Sequence, residues 1–369
     1  MHGSGGSSGA AAAGAPAIAG AANASSSGGA APGGSGGMSG GAPAQGGAGA
    51  GGSAAGSGGV AQAGAGGAGG APSGTGKQSW VWVWLDYKNS IATIAKNSKS
   101  FTHVSPALYT MNLGYTSPHL LNDGDDFSGL SSKQVADAVH AAGLKIIPLV
   151  YAGAGNNGTD QGIQAVLNDN PPGTQKKNID DTVNECLAKG YDGFNLDWEP
   201  QGTSYDQYGA KLVTYLTALT AAFHAHNLIT SFDAAGFYVR QCSNNGLVDM
   251  SKIGSSVDQM IMEDYPEKLG TPTQGCASPA PATANCSTFV GQLDSMCALP
   301  KAVVNIGMIA PYSATVGTNP FALDALKAVD TYGFTAVSLW PDSDKFIEEK
   351  NFQNGSDWYT ALAAWLGKK

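Results

Sequence analysis

The sequence predicts a single α/β domain, a (β/α)8 TIM barrel, preceded by a disordered low-complexity tether. Three observations carry this. Short β-rich runs alternate with longer segments of helical periodicity, and eight such pairs can be counted. Runs such as Ala302-Val-Val-Asn-Ile-Gly-Met-Ile309 are continuously apolar, as a parallel sheet covered on both faces requires. The carboxyl ends of the runs, where such barrels place their chemistry, are polar and aromatic.

Residues 1–77 come first and read as a tether. They are almost entirely Gly, Ala and Ser, and their only large apolar side chains are Met1, Ile18, Met38 and Val60. Burial that small cannot offset the backbone entropy lost on ordering, and Gly/Ser-rich chains behave as flexible coils. The repeated Gly-Gly-Ala pattern lacks the strict every-third Gly with abundant Pro of collagen. The start Met1-His-Gly-Ser-Gly has neither the charged n-region nor the apolar h-region of an export signal, so a signal is expected to have been removed before this numbering begins.

Residues 78–369 then supply one barrel, roughly 290 residues against the about 250 that the fold typically needs. The expected strands are Trp80–Asp86, His103–Tyr109, Lys145–Tyr151, Gly193–Glu199, Ile229–Ala234, Gln259–Tyr265, Val303–Ile309 and Ala336–Trp340. The clearest helical patterns are Ser131–Ala142, Gln175–Ala188, Tyr205–His226, Thr288–Ala298, Ala322–Tyr332 and Trp358–Leu366. Between them, Leu113–Leu130, Ala152–Gln175 and Pro266–Asn285 read as long loops.

Charge and cysteine usage narrow the partners. Net charge is −9, Lys and Arg total 19, and there is no basic run, so the phosphate-neutralising surface of a nucleic-acid binder is missing. No stretch of eighteen apolar residues exists to span a membrane. The expected molecule is a monomer, secreted or attached to a cell surface through its N-terminal tether. The five cysteines, Cys186, Cys242, Cys276, Cys286 and Cys297, include no C-x-x-C pair, which argues against zinc or redox chemistry. A Cys276–Cys286 bridge would pin the Pro- and Ala-rich loop Ser278–Asn285, with Cys242 as a competing partner, while Cys186 reads as a buried free thiol. Asn122-Asp-Gly-Asp-Asp126 lacks the terminal bidentate Glu of a calcium loop and reads as a solvated acidic loop. The histidines show no metal-ligand spacing, so neither metal nor cofactor is expected.

The residues ending the strands form the candidate site: Asp86, Glu199, Asp233, Glu263, Asp264, Tyr265 and Trp340. Flat aromatic faces suit the C–H surfaces of sugars, and carboxyls suit hydroxyls and proton transfer, so the expected partner is an oligo- or polysaccharide. Within Tyr191-Asp-Gly-Phe-Asn-Leu-Asp-Trp-Glu199, the acidic and amide residues Asn195, Asp197 and Glu199 alternate, so a strand turns all three to one side and Phe194, Leu196 and Trp198 to the other. Repulsion from Asp197 plus partial desolvation is expected to raise the proton affinity of one acid, with Glu199, nearest the mouth, as proton donor.

Asp192-Gly-Phe-Asn-Leu-Asp-Trp-Glu199 resembles the strand-four signature D-G-x-D-x-D-x-E of glycoside hydrolase family 18, the chitinases, di-N-acetylchitobiases and endo-β-N-acetylglucosaminidases. Asn195 stands where most chitinases have Asp. The resemblance extends to Val257–Tyr265, which puts Tyr265 on the family's catalytic Tyr and Glu263 in place of its usual Met or Gln. It also covers Gly333–Trp340, with Trp340 at the floor of the sugar subsite, and Phe101–Tyr109. The third strand departs: Leu149-Val-Tyr-Ala152 stands where family members have S-x-G-G.

The resemblance implies a retaining, substrate-assisted hydrolysis. Glu199 would act as acid and base, Asp197 would hold the acetamido N–H, Tyr265 would orient the acetamido carbonyl, and Asn195 would position Asp197. Trp340 would stack beneath the sugar, with Asp86, Glu263, Asp264 and Asp233 as further substrate contacts. Two alternatives stand beside it. A conventional retaining glycosidase, suggested by Trp198-Glu199-Pro200, needs a nucleophilic acid ending strand seven, and Asn305–Tyr312 has none, although Glu263 could serve. A glycan-binding lectin of the same fold would keep the groove without turnover.

Overall fold

Trp80 pairs with Ser338 on one side and with His103 on the other, so the first strand of the barrel joins both the last and the second. The computed structural model describes residues 76–84, 86–122, 124–152, 159–199, 205–234, 239, 242, 247–254, 256–263, 269–271, 275–276, 286–310, 321–341 and 358–368. The expected tether, apart from its last two residues, lies outside them. So does the loop Ser278–Asn285.

The barrel strands run β1 (Gln78–Val83), β2 (His103–Thr110) and, after a two-residue antiparallel partner of β2 named β3 (His119–Leu120), β4 (Lys145–Ile146) with β5 (Leu149–Ala152). Then come β6 (Gly193–Trp198), β7 (Ile229–Ala234), β8 (Gln259–Met262), β9 (Val304–Ala310) and β10 (Ala336–Pro341). Each pairs in parallel with its neighbours, and β1–β10 closes the ring. Successive side chains alternate across it. Trp80 and Trp82 pack inside with Ala107, Ile147, Leu149, Ile229 and Ile261, while Val81 and Val83 join the larger layer shared with the helices.

The helices are α1 (Tyr87–Lys96), α2 (Ser132–Ala141), α3 (Thr159–Asn168), α4 (Thr174–Lys189), α5 (Ala210–His224), α6 (Met250–Ile253), α7 (Phe289–Ser295), α8 (Phe321–Tyr332) and α9 (Trp358–Trp365). α2 starts at a capping box in which the Ser131 hydroxyl accepts from the Gln134 amide and the Gln134 side chain accepts from the Ser131 amide. Thr288 caps α7 by accepting from the Gly291 amide.

Several expectations are corrected. The third strand is not continuous: Pro148 offers no N–H, and the ladder breaks into β4 and β5 around it. The first strand stops at Val83, and Asp86 turns through a left-handed conformation (φ 42°) into α1, whose Tyr87, Ser90, Ile91 and Ile94 face the core. The stretch Ala152–Gln175 is no bare loop, because it contains α3, which buries Ile163, Val166 and Leu167. Asp125 is more than solvated: its carboxylate accepts from the Ser132 amide at 2.7 Å and pairs with Lys189 at 2.9 Å. Both the Lys189 contact and the Ser132 bonds outweigh burial and hold that carboxyl below its ordinary range.

Among the cysteines, Cys242, the competing partner, is the one that takes Cys286. Cys276 bonds Cys297 and Cys242 bonds Cys286, so the single-loop Cys276–Cys286 bridge does not form. Spacing alone cannot choose among connectivities, and here each bond reaches across 21 or 44 positions to tie distant segments together. Cys186, on α4, is free and buried as expected, and burial pushes its thiol up.

Candidate active site

β6 is placed by an Asp-Gly pair at its foot. The Asp192 carboxylate accepts from the Ile146 amide of β4 at 2.9 Å and meets His140 of α2, so it clamps β6 to the preceding strand and helix. Asp258, at the foot of β8, repeats the arrangement with the Thr230 amide of β7 and His224 of α5. Gly193 follows because a Cβ there would lie 1.9 Å from the carbonyl oxygen of Ile229. The first two residues of the acidic motif therefore do structural work, and the inward-facing polar residues begin two positions later.

As the alternation requires, Phe194, Leu196 and Trp198 join the barrel–helix layer, and Trp198 stacks on Tyr215 of α5 with ring centroids 5.0 Å apart. Asn195 and Asp197 face the interior. Asn195 is fully buried, and its Nδ2 donates to Asp233 Oδ2 on β7 at 2.7 Å and sits 3.5 Å from the Ser105 hydroxyl of β2. Asp197 lies in register with Tyr151 on one side and with Asp233 on the other. Glu199 follows β6 directly, half-buried, its amide donating to the Ala152 carbonyl at 2.9 Å.

Asp197, Asp233 and Glu263 come together, each with a carboxylate oxygen within 4.8 Å of the others. The Asp233 and Glu263 carboxyls lie close enough to act on each other, and a hydrogen bond between two carboxyls would require a proton. Asp197 is 9 % exposed and Asp233 2 %. Burial comes first in raising Asp197 well above the usual carboxylate range, followed by the charges of Glu263 and Glu199. Asp233 is raised chiefly by burial and then by Asp197, against a lowering contribution from its bonds with Asn195 and Glu263. Glu199 is also raised, and the cause is burial. Of the two causes expected, desolvation acts on Glu199, and the repulsion between the two acids is felt on Asp197.

Aromatic rings wall this carboxylate group. Trp84, beyond the end of β1, meets Trp340 of β10 and Tyr151 of β5 edge-on, both at centroid separations of 5.6 Å, and Trp82 meets Trp340 at 5.9 Å. The Tyr151 phenol is raised by burial and by the charges of Asp197 and Glu199, which places it beside both acids.

The expected site residues thus divide. Asn195, Asp197, Glu199, Asp233 and Glu263 converge inside the barrel, and Trp340 stands in the aromatic wall. Asp86 does not join them: it precedes α1 and accepts from the Asn89 side chain at 2.7 Å. Asp264 and Tyr265 lie outside the described residues. Trp84 and Tyr151 were missed, although the alternation Trp80-Val-Trp-Val-Trp84 turns all three tryptophans to one face and carried the signal.

No protein-family model and no curated protein matches the chain. Solved structures do. A class V chitinase from Pseudomonas fluorescens superposes with a TM-score of 0.56 at 13% identity, covering 78% of this chain and 99% of that one. Catalytic domain 2 of the group II chitinase from Ostrinia furnacalis gives 0.59 at 13% identity, covering 79% and 97%. The spore cortex-lytic enzyme SleL from Bacillus megaterium gives 0.55 at 11% identity, covering 79% and 74%. The chain has the fold of a chitinase barrel. In this chitinase-type barrel the strand-four acids point into the interior from the carboxyl half of β6, where barrels of this architecture carry their chemistry.

Proposed function

We propose that the chain is a glycoside hydrolase acting on glycans that contain β-linked N-acetylglucosamine, with Glu199 as general acid and base. The observation that carries the reading is the juxtaposition of Glu199 and Asp197, both raised by burial, with the aromatic wall of Trp84, Trp340 and Tyr151 in a chitinase-type barrel.

In the proposed reaction Glu199 donates its proton to the glycosidic oxygen as the bond to the anomeric carbon breaks. The substrate's own acetamido oxygen attacks that carbon and forms an oxazolinium ion. Asp197 accepts the acetamido N–H and offsets the positive charge, and Tyr265 orients the acetamido carbonyl. Glu199, now a carboxylate, takes a proton from water, which opens the ring with net retention. Trp340 supports the sugar, joined by Trp84. Such a path needs no second nucleophilic acid, in keeping with the absence of any acid from β9. Secretion or surface attachment through residues 1–77, and a monomeric state, belong to the same proposal.

The test is to incubate the protein with chitobiose, longer chito-oligosaccharides, a glycoprotein and peptidoglycan fragments, and to identify products by mass. Cleavage next to N-acetylglucosamine is expected. Cleavage confined to glycans without an N-acetyl group would refute substrate assistance.

A further inference from the structure

Four carboxyls crowd one end of this barrel, and the proposed chemistry employs two of them. Asp233 and Glu263 remain. Asp233 is buried too deeply for the sugar contact its position in the sequence suggests, and protein groups meet it on two sides. Asn195 Nδ2 donates to its Oδ2 at 2.7 Å from β6, and the Glu263 carboxylate, at the end of β8, lies within 4.8 Å of its own. The β6–β7 register sets it directly opposite Asp197. Its position is further fixed from below, because Asp258 holds the foot of β8 to β7 and Asp192 holds β6 to β4.

We propose that Asp233 is a positioning residue for the hydrolysis: linked to Asn195 and Glu263, it seats Asp197 against Glu199 without touching substrate. The inference rests on the hydrolase reading above. Its physical content is simple. Three carboxyls whose oxygens lie within 4.8 Å cannot all be charged in so buried a place, and a shared proton converts repulsion into hydrogen bonds that fix orientation. Asn195 can donate to Asp233 yet cannot take up a charge, so it fixes Asp233 without adding to the crowding. The titratable groups facing Asp233 are Asp197 and Glu199 from β6 and Glu263 beyond β8, with Tyr151 of β5 next beyond Asp197; Ser231 and Gln259, interior neighbours on β7 and β8, are neutral.

The pair is also exchangeable in principle. Swapping its members, Asn195→Asp with Asp233→Asn, leaves one amide and one carboxylate on the same two strands with donor and acceptor reversed. The experiment measures kcat, KM and the pH profile of kcat/KM on the chito-oligosaccharide that the wild type cleaves, together with the melting temperature of each variant. Asp233→Asn is expected to lower kcat at least tenfold, leave KM within about twofold, shift the pH profile, and melt no lower than the wild type at neutral pH. The double variant is expected to recover most of the lost kcat. Glu263→Gln, at a half-buried position, should lower kcat in the same sense and decides the matter if Asp233→Asn does not fold.

An Asp233→Asn variant with wild-type kcat and pH profile overturns the proposal. A change in KM alone does so too, since it would mark a substrate contact, as would activity that is lost on chelation and restored by a divalent cation. Wild-type protein inactive on every glycan would instead refute the hydrolase reading, which keeps the two failures apart.

Discussion

Asn195 meets Asp233 across the β6–β7 pair, its amide donating to the carboxylate at 2.7 Å, and this bond stands directly beneath the two acids of the proposed reaction. A fully buried amide bonded to a nearly fully buried carboxylate is costly to leave unmade, so it fixes both side chains. What lies above it is electrostatically strained, and that strain can be measured.

Asp197→Asn should stabilise the protein at neutral and alkaline pH while abolishing activity. The folded state raises the Asp197 carboxyl, so the stability linked to it is present in acid and is lost as pH rises through the raised value. Thermal melts should show a gain of about 2 °C or more at pH 8 and little or none near pH 3.5. An equal effect at both pH values would mean that packing, not charge, was changed.

His103 makes the opposite contribution. It is buried inside the barrel, stacked on Trp80 at a centroid distance of 4.4 Å and bonded to the Thr102 hydroxyl at 2.8 Å. Burial first, then the charges of Lys145 and Lys368, lower it from 6.5 to about 3. The unfolded chain therefore binds the proton more readily, and stability falls as pH drops from about 6.5 towards 3, by at most roughly 4 kcal/mol on the linkage relation. His103→Phe keeps the stacking ring and should flatten denaturant-derived stability over that window.

Much of the architecture is legible in the sequence for a clear reason. Strands such as β6 and β9 are short, apolar and bounded, and the interior-facing alternation of Asn195, Asp197 and Glu199 follows from strand period alone. α1 and α3 were not singled out although α2, equally ten residues long, was: α2 opens on the Ser131–Gln134 capping box, whereas α1 opens on Asp86 with no side-chain cap. Pro148 was visible, but its effect on the third strand depends on which ladder bond it removes. The carboxylate cluster was half legible: Asp233 and Glu263 were named as strand-end acids, yet their roles depend on β6–β7–β8 neighbours that only the register supplies. The same holds for the disulfides, whose partners lie far apart in sequence.

Gly193→Ala tests the foot of β6. The added Cβ would strike the Ile229 carbonyl, and because the nearest atoms are all Ile229 backbone no flexible group is there to yield. A loss of about 3 kcal/mol or more is expected, seen as reduced soluble yield and an early chemical-denaturation midpoint. Wild-type stability would show that the β6–β7 approach is looser than described.

The aromatic wall should carry binding. Trp84→Ala and Trp340→Ala each remove a large flat face from the site, and each should weaken oligosaccharide affinity about tenfold, the equivalent of roughly 1.4 kcal/mol. Titration calorimetry with a chito-oligosaccharide checks this in the Glu199→Gln background. If the Trp84 variant binds as tightly as its parent, the wall is core rather than subsite.

Turnover and binding in Glu199→Gln itself decide the central claim. The substitution keeps the size of the side chain and removes its capacity to donate and recover a proton, so hydrolysis of the wild type's best chito-oligosaccharide should fall at least ~100-fold while affinity stays within about threefold. Hydrolysis by Glu199→Gln at the wild-type rate would contradict the account.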